Sequence, residues 1–165
     1  MITPLKDNIW QLHFRAFSSC VYLIKNPEPI LIDTGSKEAE QELIADLKSL
    51  FIEPEDIKAV ILTHSHWDHT GNINSFKNAK IYPSNNVSEI KKDFPDFEII
   101  ETPGHTRNDI CILYEDILFS GDTIFENGYI GRTDFPESSP EKMQASLAKL
   151  KNIKYKILAP GHLVN

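Results

Sequence analysis

The sequence predicts one layered α/β domain that spans residues 1–165, and three observations support this prediction. A chain of 165 residues has the length of one ordinary domain. Its composition, 41% hydrophobic and 25% charged, is typical of globular proteins and excludes disordered and low-complexity classes. Short runs of strand-forming residues are interspersed with two stretches of helical periodicity, which indicates layers of strands and helices.

The first third of the chain is predicted to form three strands, a helix and a fourth strand. β-branched and aromatic residues concentrate in three runs, at 9–14, 20–24 and 30–32. Between residues 37 and 51 the apolar side chains, the last of them Phe51, have the spacing of one helix face. Residues 59–62 are a continuous apolar run, as expected of a strand that is buried on both faces.

The rest of the chain is predicted to contain five more strands and two more helices. The strands are assigned to residues 81–82, 98–100, 110–114, 117–119 and 157–158. A helix is predicted over residues 140–150, with Ser139 as its N-cap and Pro140 at the first helical position. A shorter helix is predicted over residues 88–93.

Residues that bear chemistry follow the predicted strands directly. Five of the six histidines lie in three short clusters, namely His64, His66 and His69, then His105, then His162. Asp33 and Asp122 also come directly after predicted strands, whereas His13 lies within one and is predicted not to be a ligand. If these strands end at the same edge of their sheets, their loops converge, as the loops of an active site do.

The hexapeptide at residues 64–69 carries the strongest indication of a metal site. In an extended segment His64 and His66 point the same way, because side chains alternate with a period of two. Asp68 and His69 follow at a predicted helix start and can face a neighbouring ion. Imidazole and carboxylate suit zinc, with iron or manganese as alternatives where carboxylates bridge two ions. Trp67 is expected to pack beneath the site as an apolar wall.

The other clusters are weaker indications when each is taken alone. Turn chemistry with an incidental side chain explains His105, Asp122 or His162 as well as ligation does. Asp33 is interpreted as the group that fixes the tautomer of a ligand histidine, with a plain turn as the alternative.

Taken together, the order of these motifs resembles the metallo-β-lactamase superfamily. The resemblance runs from Asp33-Thr34-Gly35 to Pro160-Gly161-His162 and implies the αβ/βα sandwich, a four-layer fold with two mixed sheets and outer helices. It implies a first metal ion held by three histidines and a second held by two histidines and an aspartate, with another aspartate bridging both. These ligands are His64, His66 and His105 for the first ion, Asp68, His69 and His162 for the second, and Asp122 as the bridge.

A closer resemblance is to the glyoxalase II branch, which hydrolyses hydroxyacylglutathione thioesters. It is carried by the segments at residues 121–125 and 131–136, the second of which reads Gly-Arg-Thr-Asp-Phe-Pro. Full-length members of that branch have a C-terminal helical domain that helps hold glutathione, and only three residues follow His162 here. The thiol part of the substrate is therefore left open.

The glyoxalase II resemblance implies a hydrolase in which a hydroxide bridging two Zn²⁺ ions attacks a thioester carbonyl. Asp68 would orient the hydroxide nucleophile, and Asp122 would bridge the two metal ions. Tyr129 and Arg132 are predicted to lie in the substrate pocket; Arg132 either pairs with a substrate carboxylate or braces its own loop.

A net charge of −7 argues against a nucleic-acid or anionic membrane surface. Two divalent ions would form a positive centre within this acidic surface, which favours a small anionic acyl substrate over a polyanion. The first residues contain no signal peptide and no apolar run is long enough to span a membrane, so a cytoplasmic location is expected. The oligomeric state is left open between monomer and homodimer.

Three other functions compete with thioester hydrolysis. The persulfide dioxygenase branch of the superfamily shares a similar Gly-Arg-Thr-Asp-Phe segment and holds a single iron, which here would be bound by His64, His105 and Asp122. Nuclease members usually carry an inserted domain, for which 165 residues leave no room. A non-catalytic metal-binding module is disfavoured because all seven ligand positions are filled.

Overall fold

A computed structural model describes residues 1–25 and 27–163. The chain divides into two compact units, an N-terminal unit of residues 1–82 and a C-terminal unit of residues 83–165. Among the described residues, no helix combines the length and the apolar character needed to cross a bilayer. The extension of one domain over residues 1–165 stays a prediction.

The N-terminal unit is built on a six-stranded mixed sheet with strand order β1-β2-β3-β4-β5-β6. The strands are β1 (Ile2–Lys6), β2 (Ile9–Leu12), β3 (Val21–Lys25), β4 (Pro29–Ile32), β5 (Ala59–Ile61) and β6 (Lys80–Tyr82). The first four strands pair antiparallel, whereas β4, β5 and β6 pair parallel. All predicted strands of this half are present, at slightly different bounds.

Strand β1 was not predicted, and its sequence explains why. Pro4 interrupts the run of apolar residues and cannot donate a ladder hydrogen bond, a combination tolerated only on edge strands or at bulges. The strand lies at the edge of the sheet, and its register with β2 shifts between Pro4 and Lys6. Local composition does not reveal such a strand, because pairing with β2 is what defines it.

The predicted helix over residues 37–51 is a 3-10 turn (Lys37–Ala39) followed by helix α1 (Glu40–Ser49). Its apolar face is as predicted, since Leu43 and Leu47 are fully buried in the core cluster of this unit. The prediction was wrong for Phe51. This residue lies beyond the helix with a φ of 60° and is 91% exposed, because the left-handed turn that ends the helix directs its side chain away from the core.

The C-terminal unit has a four-stranded mixed sheet with strand order β10-β9-β8-β7. Its strands are β7 (Glu98–Glu101), β8 (Ile110–Tyr114), β9 (Ile117–Gly121) and β10 (Ile157–Pro160), and the helices are α3 (Val87–Asp93) and α4 (Pro140–Leu150). Ser139 caps α4 by accepting a hydrogen bond from the backbone N–H of Lys142, as predicted. Leu150, at the end of α4, packs against Cys111 and Leu118 of the sheet.

Strand direction explains how each unit gathers its chemistry-bearing residues. In the N-terminal unit β4 and β5 are parallel neighbours, so Asp33 and His64 follow strands that end at the same sheet edge. In the C-terminal unit β9 and β10 are parallel neighbours, and two antiparallel steps give β7 the same direction as β9. His105, Asp122 and His162 therefore all follow strands that end at one edge. Two mixed sheets with helices confirm the predicted fold class.

Candidate metal centre

The N-terminal unit brings its four predicted ligands together. The side chains of His64 and His66 offer ligand nitrogens within 4.8 Å of one another, as do those of His64 and His69. A ligand oxygen of Asp68 and a ligand nitrogen of His69 also lie within 4.8 Å of each other. Helix α2 (Trp67–Thr70) begins directly after His66, so Asp68 and His69 lie on its first turn, as the sequence predicted. Apart from the half-buried His66, these side chains are buried.

Asp33 orients His69 through a buried hydrogen-bond network. The Nδ1–H of His69 donates to Oδ2 of Asp33 at 2.8 Å. The backbone N–H and the hydroxyl of Thr63 also donate to this carboxylate, each at 2.8 Å. Because Asp33 receives all three donors as an acceptor, Nδ1 of His69 carries the proton and its lone pair lies on Nε2. This is the arrangement that outer-shell carboxylates impose on metal-ligating histidines.

Thr63 extends this network to a second histidine, a role that the sequence did not reveal. Since its hydroxyl hydrogen is donated to Asp33, its oxygen is left to accept from Nδ1 of His64, 3.1 Å away. His64 thus has the same tautomer as His69, with the lone pair on Nε2. The only sequence signal for Thr63 is its position between the buried strand β5 and His64.

In the C-terminal unit, two imidazoles face one carboxylate oxygen. Oδ2 of Asp122 lies 3.4 Å from Nε2 of His105 and 3.5 Å from Nε2 of His162. Two ligands that each lie about 2.0–2.1 Å from a tetrahedral zinc ion are themselves about 3.3–3.4 Å apart. The observed spacing is therefore that of side chains able to share an ion, with Asp122 in the middle as expected of a bridging ligand.

The tautomer of His105 is also fixed. Its Nδ1 lies 2.8 Å from the backbone carbonyl oxygen of Arg132, and a carbonyl can only accept. The proton is therefore on Nδ1 and the lone pair on Nε2, the atom that faces Asp122. His64, His69 and His105 thus have their metal-competent nitrogen selected by a neighbour on the opposite side of the ring.

A dense set of hydrogen bonds holds the loop that carries His105. The buried carboxylate of Asp109 accepts from the backbone N–H of Gly104 at 3.1 Å and from that of Thr106 at 2.6 Å. The hydroxyl of Ser138 donates to the carbonyl of His105 at 2.6 Å. Burial raises the pKa of Asp109, although its hydrogen bonds with Thr106 act in the opposite direction. Asp109 could not be singled out from the sequence, because nothing in the local pattern distinguishes it from a turn residue.

Three further side chains named from the sequence have clear surroundings. Trp67 does not form an apolar wall beneath the site: it is 57% exposed and lies beside Phe17, with ring centroids 5.9 Å apart. Tyr129 is also exposed, on a short turn that the bridge between Ile124 and Ile130 closes. His13 is half-buried near the N-terminus, which donates to its carbonyl, and burial lowers its pKa.

Comparison with known families agrees with this geometry. The model of the metallo-beta-lactamase superfamily matches residues 14–100 and 81–162, which together include all seven predicted ligands. The chain belongs to the metallo-β-lactamase superfamily. The Asp-Thr-Gly and histidine motifs that carried the resemblance in the sequence are thus those of a superfamily member.

Relatives and solved structures add detail to this assignment. A probable metallo-hydrolase of Methanocaldococcus jannaschii is 35% identical over 81% of this chain and 70% of its own length. A hydroxyacylglutathione hydrolase of Pseudoalteromonas translucida is 30% identical over 84% of this chain, but the match spans only 58% of that protein. The crystal structure of TTHA1623 in a di-iron-bound form has a TM-score of 0.73 at 22% identity, covering 92% of this chain and 91% of the other. That likeness shows a common fold.

Proposed function

We propose that this superfamily member is a dinuclear metal-dependent hydrolase that cleaves a thioester of a small anionic acyl group. The supporting observation is that three histidines have Nδ1 engaged by an acceptor, which leaves Nε2 of each as a metal-binding atom. Such constraint is typical of metal ligands and is not needed in histidines that only fill a polar loop. The hydrolase names of the relatives agree with this class of reaction.

The donor set of each unit fits a divalent transition metal. The N-terminal unit supplies three imidazoles and one carboxylate, and the C-terminal unit supplies two imidazoles and one carboxylate. Nitrogen and oxygen donors of this kind suit zinc, iron and manganese. The proposed distribution is that implied by the family: His64, His66 and His105 for one ion, Asp68, His69 and His162 for the other, and Asp122 for both.

Divalent ions bound by these residues would lower the pKa of coordinated water to about 7 and stabilise negative charge on the substrate oxygen. The protein's own contribution is orientation. Asp33 and Thr63 hold the imidazoles of His64 and His69 in one tautomer, so no reorganisation is needed when the charge develops. Asp68, 8% exposed, is the carboxylate proposed to accept a hydrogen bond from the attacking water and to direct it.

The acyl side of the substrate is proposed from charge. The chain carries a net charge of −7, so a cationic centre would be a localised attractive feature on an acidic protein. A small anionic acyl group would be drawn to it, whereas a polyanion such as nucleic acid would be repelled by the remaining surface. Tyr129, exposed on its turn, is proposed to contact this group.

Metal analysis and a hydrolysis assay on one sample test the proposal. Protein purified without added metal is analysed for its elements and then assayed with thioesters, with release of the free thiol as the signal. About two metal ions per chain together with thioester cleavage are expected. One iron per chain, with oxygen consumption on a persulfide and no thioester cleavage, would instead support a dioxygenase. Full metal loading with no turnover on thioesters, lactones or persulfides would refute an enzymatic role.

A further inference from the structure

The segment of residues 131–135 packs directly against two of the predicted metal ligands. A Cβ at Gly131 would overlap the backbone oxygen of Asp122 and would lie 3.1 Å from Nδ1 of His105. No side chain fits there, so glycine is required for this close approach. The next residue supplies the carbonyl that accepts the Nδ1–H of His105 at 2.8 Å.

The side chain of Arg132 is held within the same segment. Its Nε donates to Oδ1 of Asp134 at 2.9 Å and its Nη2 donates to Oδ2 at 2.8 Å, a bidentate pair. The guanidinium carbon lies 4.5 Å from the ring centroid of Phe135, over its face. The bidentate pair uses two of the N–H groups that a substrate carboxylate would otherwise engage.

Phe135 links this arrangement back to the ligand. Its ring centroid lies 5.8 Å from that of His105, with an angle of 74° between the planes. The imidazole is therefore constrained twice by one segment, by its hydrogen bond to the carbonyl of Arg132 and by edge contact with Phe135. Arg132 connects the two constraints, because its backbone accepts from the imidazole and its side chain packs on the phenyl ring.

We propose that residues 131–135 are a positioning device for the metal ligand His105, in which Arg132 is a positioning residue and not a substrate-binding one. The Arg132–Asp134 pair and the Arg132–Phe135 stack fix the carbonyl at residue 132, and this carbonyl selects the tautomer of His105 that presents Nε2 to the metal. Of the two roles that the sequence leaves open for Arg132, the geometry thus favours bracing. The inference rests on the proposed function only in taking His105 as a ligand.

Two variants and a matched control test this role. Arg132→Gln removes the bidentate pair and the stack, and Phe135→Leu removes the ring that contacts both Arg132 and His105. Lys156→Gln is the control, because Lys156 forms another exposed ion pair in the same unit, with Asp116 at 3.0 Å. Three quantities are measured for each protein: the tautomer of His105 by ¹⁵N NMR without metal, the Zn²⁺ dissociation constant, and kcat and KM on neutral and carboxylated thioesters.

The two test variants are expected to raise the Zn²⁺ dissociation constant about tenfold, the lower end of the range for groups that orient a ligand. They are also expected to populate the second tautomer of His105 and to lower kcat equally for both thioesters, while Lys156→Gln matches the wild type. The inference is overturned if tautomer and metal affinity stay at wild-type values in both variants. It is also overturned if Arg132→Gln raises KM only for the carboxylated thioester, since that is the signature of substrate binding.

Failure of the proposed function has a different signature. A wild-type protein that binds Zn²⁺ but hydrolyses no thioester refutes the reaction, and the NMR and metal-affinity measurements still decide the role of residues 131–135. A wild-type protein that binds none of Zn²⁺, Fe²⁺ and Mn²⁺ refutes the metal centre itself and, with it, the inference. If Phe135→Leu does not fold, Arg132→Gln carries the test, because its guanidinium is mostly exposed.

Discussion

Replacing Asp33 by Asn tests whether a buried carboxylate determines the tautomer of His69, a predicted metal ligand. Asp33 is 1% exposed and accepts three hydrogen bonds of 2.8 Å, two from Thr63 and one from His69. Asn has nearly the same shape but can accept at only one of its two terminal atoms. The backbone φ of 59° at this position is also tolerated by Asn, so the substitution adds no strain from the left-handed conformation.

The expected magnitude follows from counting donors. In Asp33→Asn the amide oxygen would keep the bond from the backbone N–H of Thr63, and the new NH₂ group would face the Thr63 hydroxyl and Nδ1 of His69. His69 can relieve the conflict by moving its proton to Nε2, which removes the lone pair that is proposed to bind metal. Metal affinity should then fall about 10- to 100-fold. The Thr63 hydroxyl loses its acceptor, which costs about 1–3 kcal/mol of stability without metal.

The assay compares Asp33→Asn with wild type in metal-free and zinc-loaded forms. The midpoint temperature of thermal unfolding without metal should fall by about 2–4 °C for each kcal/mol of stability lost. In the same metal-free sample, ¹⁵N NMR should report the proton of His69 on Nε2. Asp7→Asn is the control, because it changes an exposed carboxylate in the turn between β1 and β2 and should shift stability by less than about 0.5 kcal/mol. Unchanged zinc affinity in Asp33→Asn, with His69 still protonated on Nδ1, would refute the reasoning.

Four further predictions concern single side chains. Asp122→Ala should lose both metal occupancy and thioester hydrolysis, whereas His13→Ala should keep both; elemental analysis and the thiol-release assay decide, and equal retention in the two variants contradicts the ligand assignment. Gly104→Ala should lower the free energy of unfolding by more than about 2 kcal/mol in urea titrations, because the new Cβ would lie 2.5 Å from the backbone of α4. A smaller decrease would contradict this prediction and would show that the loop at Gly104 can shift. Cys111, whose pKa is raised by burial to about 11, should resist alkylation at pH 8 until the chain is unfolded, as followed by mass spectrometry; rapid labelling of the folded protein contradicts its burial. Burial lowers the pKa of His13, so the native state binds fewer protons than the unfolded state at pH values between that pKa and about 6.5. The free energy of unfolding therefore decreases as the pH falls through this window. His13→Gln should lose less of its unfolding free energy than the wild type between pH 7 and pH 5, as measured by denaturant titration.

The sequence allowed the fold class and most elements to be predicted because its patterns are local. Alternation and apolar runs identified nine of the ten strands of the described residues, and the order of histidines and aspartates identified the superfamily. The failures have physical causes that act beyond the local pattern. Strand β1 contains Pro4 and is defined only by its pairing with β2, and Phe51 continues a helical spacing past the residue where the helix ends.

The candidate site shows the same limit at the level of chemistry. His64, His105 and Asp122 were singled out as candidate ligands because imidazole and carboxylate are chemically distinctive and because the order of these motifs resembles that of a known superfamily. The groups that orient them could not be singled out, because a hydrogen-bond acceptor is chosen by position: a threonine hydroxyl acts on His64, and a main-chain carbonyl acts on His105. Every residue has such a carbonyl, so the sequence alone could not single out that of Arg132. The sequence instead indicated the arginine side chain, as a possible substrate contact. Substitutions that leave all seven predicted ligands intact should therefore still change metal affinity, provided that they move the carbonyl at residue 132 or the acceptor at residue 33.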